Sequence, residues 1–178
     1  ALQVVESIPQ DKDILFVPDK NLGSYIQKVT GRQNMILWDG ACHVHEKFSK
    51  EGILELKKVN PEAKVVVHPE CRGEVADLAD YCGSTAGILA YCGKSECDTF
   101  IVVTEPGILA EMEKKYPQKK FIPAPSVEGK KCNECEYMKM ITLESIIACL
   151  ENESPTIELD EEVRKKASKS IEAMVKIG

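Results

Sequence analysis

The sequence lacks any long apolar run. No stretch approaches the roughly 18 residues that a membrane-spanning helix needs, so no membrane span is expected. It also lacks a basic excess. Lys and Arg number 23 against 29 Asp and Glu, a formal charge of -6, which argues against a nucleic-acid partner. No signal-peptide pattern is visible and no segment is low in complexity. The chain opens at Ala1 without Met, directly in an apolar stretch of Leu2, Val4, Val5 and Ile8. The expectation is therefore that processing or a boundary has removed something upstream. What remains is ordinary for a globular protein. Its 178 residues are 43% hydrophobic and 29% charged, enough for one or two domains.

Cysteine is the exception. There are eight, at positions 42, 71, 82, 92, 97, 132, 135 and 149. A small secreted disulfide scaffold is one reading, but the chain is too long and its elements too regular. A reducing, cytoplasmic setting fits better, with metal binding or plain burial for most of the thiols.

Short β-branched or apolar runs at 14–17, 35–38, 63–67, 100–103 and 121–122 are expected strands. Helical faces lie between them. Leu22, Tyr25, Ile26 and Val29 form one, capped by Asp19 or Asn21 and ended by Gly31. Another spans about 46–58. Gly73 opens a third, with Val75, Leu78, Ala79 and Cys82 at i, i+3, i+4 and i+7. Ser84-Thr85 caps a helix over about 86–91, and Leu109, Met112 and Tyr116 mark the next. Thr142 and Asp160 cap two C-terminal helices. A repeat shows through at Ile14-Leu-Phe-Val-Pro-Asp, Val65-Val-Val-His-Pro-Glu and Ile101-Val-Val-Thr-Glu-Pro. Each reads as a strand, then proline with a carboxylate, then a helix opening. The expected fold class is α/β: repeated α/β/α units with short parallel sheets and right-handed crossovers, plus a helical C-terminal tail. The expected division is a first unit over 1–63, a second over 64–126, and the tail over 127–178.

Several residues carry candidate chemistry. Cys132-Asn-Glu-Cys135 can grip a metal or form a disulfide. Zinc, redox and iron–sulfur roles all remain open for it. A zinc ribbon would need a second such pair, and the nearest other spacing, Cys92 to Cys97, is wider. Cys42 follows a strand, three residues before His45, and is either a ligand, a nucleophile or a buried loop thiol. In an extended segment His43 and His45 point to opposite sides, so one of them is expected to face a crevice. His68 and Glu70 sit at a strand end, where histidine can shuttle protons beside a carboxylate. The plain alternative is a surface salt bridge. Ser84 and Thr85 offer hydroxyls and free amides to an anion, or simply cap the helix.

Six motifs in order then resemble one family. They are Pro18-Asp19-Lys20-Asn21-Leu22-Gly23, Trp38-Asp39-Gly40-Ala41-Cys42-His43-Val44-His45-Glu46, Val67-His68-Pro69-Glu70-Cys71, Gly83-Ser84-Thr85, Thr104-Glu105 and Cys135-Glu136-Tyr137-Met138-Lys139-Met140. Together they resemble quinolinate synthase. The resemblance implies three similar α/β domains about a pseudo-threefold axis, with the tail packing back on the first. It implies a [4Fe–4S] cluster held by one cysteine per domain, with one iron open to substrate as a Lewis acid. It implies condensation of iminoaspartate with dihydroxyacetone phosphate, and loss of water, to give quinolinate for NAD biosynthesis. An aspartate-oxidising enzyme is an implied partner. Carried over, Cys42 and Cys135 are similar to two cluster ligands, and Cys132 to a neighbouring cysteine able to pair with Cys135 on oxidation. His68 and Glu70 resemble catalytic residues, and His45, His68, Glu70, Ser84 and Thr85 substrate-binding ones. Two departures stand out. Glu136 replaces the family's proline after the ligand cysteine, and the first domain, with its own ligand cysteine, is expected to be missing. The piece alone is then expected to be inactive. The rival from another class is a non-catalytic zinc- or redox-binding α/β module built on Cys132 and Cys135.

Overall fold

A computed structural model of the chain describes residues 1–177. In order, the elements are α1 (Leu2–Ser7), β1 (Ile14–Phe16), α2 (Lys20–Thr30), β2 (Met35–Leu37), α3 (Lys50–Val59), β3 (Lys64–Val67) and α4 (Gly73–Ala76). There follow β4 (Tyr81–Cys82), α5 (Thr85–Lys94), β5 (Thr99–Val103), α6 (Ile108–Lys115), β6 (Lys120–Pro123), α7 (Glu136–Lys139), α8 (Leu143–Asn152) and α9 (Glu161–Ile177). A 3-10 turn, His45–Lys47, precedes α3. The fold is α/β with two sheets, both wholly parallel: β1 beside β2, and β4-β3-β5-β6. No helix among the described residues is long and apolar enough to cross a membrane.

Internal contacts divide the chain into two compact units. The larger is Asp13–Cys135 and holds both sheets. Its core follows from the strand period of two. Val65, Val67, Ile101 and Val103 face Phe48, Ile53 and Val75 on one side. Val66, Phe100 and Val102 face Ile88, Cys92 and Met112 on the other. Because both faces are covered, β3 and β5 read as unbroken apolar runs, as strands of parallel sheets do. Pro123 is tolerated because β6 is an edge strand. The smaller unit joins residues 1–12 to those from Glu136 onward, and within it α1 packs on α9. Thr142 and Ser145 cap α8 reciprocally, and Asp160 accepts the Val163 N–H at 3.0 Å.

The expected helix through Cys82 is corrected. It stops at Ala76, and Tyr81 and Cys82 instead form the edge strand beside Val66 and Val67. Asp80 drives the change. Its N–H donates to the Val65 carbonyl at 2.8 Å, and its carboxylate accepts the Val65 N–H at 2.8 Å. Leu78 and Ala79 still reach the core, so burial is kept without the helix.

The β5 side chains give a direct stability test. Ile101 is fully buried, so Ile101→Ala should destabilise the larger unit by about 2–5 kcal/mol. Ile36 on β2 is 62% exposed, so Ile36→Ala should cost less than about 0.5 kcal/mol. Urea unfolding midpoints of the two variants check the contrast.

Candidate active site

The site lies at the C-terminal ends of the strands, where open α/β sheets bind ligands. All of its residues described below belong to the larger unit. The loop after β2 is tight: a Cβ at Gly40 would collide with the Pro18 carbonyl oxygen. That loop delivers Cys42, whose N–H donates to Asp19 Oδ2 at 2.8 Å. The Glu46 N–H then donates to the Cys42 carbonyl at 3.0 Å, curling the segment so that His45 turns inward. His45 is buried, while His43 is exposed.

The imidazole of His45 is held on both edges. Nε2 meets Thr104 Oγ1 at 3.1 Å. Nδ1 lies 3.1 Å from Glu70 Oε2, but off the direction of the ring N–H, so the contact is a charge pair and not an aligned hydrogen bond. His68 stacks on His45, with ring centroids 4.4 Å apart, and its Nδ1 is 3.8 Å from the same carboxylate oxygen. Asn21 ties the Glu70 segment down, donating to the Glu70 carbonyl at 3.0 Å and to Glu46 Oε1 at 2.6 Å. Ligand atoms of Cys42, His45 and Glu70 all lie within 4.8 Å of one another.

These contacts set the charges. The Cys42 thiol is lowered, chiefly by the His45 imidazole beside it. Burial works to lower His45, but the Cys42 sulfur and the Glu70 carboxylate outweigh it and push it up to about 9. Glu70 is lowered by His45 beside it, against the opposing effect of burial. Burial, then the charge on His45, lowers His68. Near neutral pH the cluster therefore pairs an imidazolium, His45, with a carboxylate, Glu70, and leaves His68 a neutral base.

Cys135, the last residue of the unit, is brought beside the Thr104-Glu105 segment, whose Thr104 meets His45. Like Cys42, it packs against the core cluster that includes Val67, Cys71 and Val103. Its N–H donates to Glu105 Oε1 at 3.4 Å. Asn133, buried, donates to the Val44 carbonyl at 3.4 Å and so fastens the Cys132–Cys135 loop to the Cys42–His45 loop. All eight cysteines are free thiols, Cys132 and Cys135 included. Burial pushes Cys71 up, Cys82 up to about 11 and Cys92 up to about 12. Ser84 and Thr85 stand exposed at the start of α5, at the same end of the sheet. Ser84 Oγ accepts the Gly87 N–H at 3.2 Å, as a cap does. Sequence reasoning gave no individual role to Thr104, Glu105 or Asn133, and saw Asp19 as a cap and a motif residue without a tie to Cys42. The repeated carboxylate after each strand was the available signal.

A family model described as quinolinate synthetase A protein matches residues 1–176. The chain belongs to that family. Relatives named quinolinate synthase bear this out. One from Prochlorococcus marinus is 48% identical over 175 residues, which is 98% of this chain and 52% of the relative. One from Thermosynechococcus vestitus is 48% identical over 178 residues, 99% of this chain and 56% of the relative. One from Chloroherpeton thalassium is 47% identical over 178 residues, covering 55% of its length. The chain thus spans about half the length of the curated quinolinate synthases it matches.

The donor set fits the iron–sulfur cluster expected of a quinolinate synthase. Two half-buried thiols pack against the same core cluster, one of them kept toward thiolate by His45. Soft thiolates of this kind suit iron–sulfur centres. The buried His45 Nδ1, without an aligned hydrogen-bond partner, marks a pocket built for charge.

Proposed function

We propose that this chain forms part of a quinolinate synthase, which condenses iminoaspartate with dihydroxyacetone phosphate and removes water to make quinolinate for NAD biosynthesis. The observation that carries the reading is the meeting of two remote segments. Asn133 reaches Val44, Cys135 donates to Glu105 next to the Thr104 that meets His45, and Cys42 lies with His45 and Glu70. Cys42 and Cys135 would hold a [4Fe–4S] cluster, with a third thiolate from outside these 178 residues. When bound, such a cluster with one open iron supplies a Lewis acid that eases loss of a hydroxyl.

The chain's own groups divide the remaining work. His68, neutral and next to Glu70, takes and returns a proton at Nδ1 or Nε2 during enolisation and dehydration. His45, charged, keeps Glu70 ionised and offers a positive field to an anionic substrate. The free amides at Ser84-Thr85 suit a phosphate or carboxylate. An aspartate-oxidising enzyme supplies the iminoaspartate. The exposed apolar residues Leu143, Ile146, Ile147 and Leu150 on α8, and Val163, Ile171 and Met174 on α9, suit packing against another part of the enzyme. Activity accordingly belongs to these residues together with the remaining family length.

Anaerobic reconstitution with ferrous iron and sulfide tests the proposal, with β-mercaptoethanol present to supply a thiolate to irons the chain leaves open. Iron and sulfide in equal amounts, with broad visible absorption that bleaches under dithionite, are expected. Purified protein that carries zinc and takes up no coloured cluster would overturn the reading.

A further inference from the structure

The two cysteines assigned to the cluster are held in the same way by different parts of the fold. Asp19 follows β1, and Glu105 follows β5. Both carboxylates are buried, with 4% and 9% of their surface exposed. Each spends one oxygen on the start of its own helix. Asp19 Oδ1 accepts the Leu22 N–H at 2.8 Å, and Glu105 Oε2 accepts the Gly107 N–H at 2.7 Å. Each turns its other oxygen to a cysteine amide. Asp19 Oδ2 accepts from Cys42 at 2.8 Å, and Glu105 Oε1 from Cys135 at 3.4 Å.

We infer that Asp19 and Glu105 are paired positioning residues, which fix the backbone of Cys42 and Cys135 so that both thiolates are aimed before metal arrives. The inference rests on the cluster-ligand reading above. The physical argument starts from cost. A buried carboxylate is expensive unless its oxygens are hydrogen-bonded. A helix cap alone would be served by serine, threonine or asparagine, each with one acceptor oxygen. A carboxylate has two acceptor oxygens, so it can bridge a helix start to a second N–H. In both places that second N–H belongs to a cysteine in a loop, where nothing in a helix or strand fixes its position. Loop ligands lose affinity when their orientation is left free, and outer partners of metal ligands are typically worth 10–100-fold in affinity. The bridge also ties each thiol to the rigid end of a strand. The sheet ends therefore dictate the spacing of the two sulfurs.

The test uses Asp19→Asn and Glu105→Gln, which keep size and shape but replace one acceptor oxygen with an amide donor. Asp80→Asn is the control, since Asp80 also accepts a backbone N–H, at β3 of the four-stranded sheet, but that N–H belongs to Val65 and not to a cysteine. Each protein is reconstituted with ferrous iron, sulfide and β-mercaptoethanol, and iron loss to a chelator is followed by the thiolate-to-iron absorption. Loss is expected to be about 10–100-fold faster in Asp19→Asn and Glu105→Gln, and unchanged in Asp80→Asn. Circular dichroism confirms that the compared variants are folded, and if one fails to fold the other decides. Unchanged iron release in a folded Asp19→Asn or Glu105→Gln protein overturns the inference and leaves the cluster reading standing. A wild-type protein that takes up no thiolate-bound iron overturns both.

Discussion

Cys135→Ser is expected to abolish cluster uptake, with iron per chain falling to background and the charge-transfer absorption lost. The reason is chemical and not conformational. The loop stays fastened through Asn133 to Val44 and through the residue 135 N–H to Glu105, contacts that serine keeps. What changes is the donor atom: a hard hydroxyl that remains protonated near neutral pH replaces a soft thiolate. Cys71→Ser is the matched comparison, since Cys71 packs on the same core. Its side chain is 1% exposed, burial pushes its pKa up, and its sulfur lies 3.7 Å from the Val103 carbonyl, which a hydroxyl can also reach. Cys71→Ser should keep its iron. A cluster that survives in Cys135→Ser, read by anaerobic iron and sulfide analysis, would remove Cys135 from the ligand set.

Much of the architecture was legible because the sheets are parallel and buried. Val65 to Val67 and Ile101 to Val103 are β-branched runs with no polar interruption, and such runs have few other uses. Helix caps were legible too: Asp19, Ser84, Thr142 and Asp160 each accept the N–H expected of a cap. The edge strand at Tyr81–Cys82 was not. Val75, Leu78, Ala79 and Cys82 keep a helical spacing, and long-range bonds, chief among them the two-way bond between Asp80 and Val65, override it. Such a bond joins residues 15 apart and leaves no periodic trace. The site divides the same way. Cys42, His45, His68 and Glu70 stood out as reactive types at strand ends. That His45 meets Thr104, 59 residues away, depends on which strands lie side by side. The repeat exposed a carboxylate after each strand but not the amide it would hold.

The other large effect is at His68. His68→Ala, in the assembled enzyme, should lower turnover by about 10²–10⁴-fold while leaving iron content unchanged. Its imidazole is the one in the cluster that stays neutral, because burial and the positive charge on His45 both oppose its protonation. A neutral imidazole can accept a proton from a substrate carbon or hydroxyl and return it later. His45 cannot replace it: Glu70 and the Cys42 sulfur hold that ring protonated, with its pKa at about 9, and Thr104 occupies its other edge. Iron should be retained because His68 is not one of the residues assigned to hold it; its ring stacks on His45 at 4.4 Å and faces Glu70 at 3.8 Å. The loss should fall on kcat more than on KM, since the proton transfer made in the transition state is removed. Steady-state kinetics with parallel iron analysis separate the outcomes. Full activity rejects the role for His68, whereas loss of iron together with activity would mean that the ring supports the cysteine loop and moves no proton.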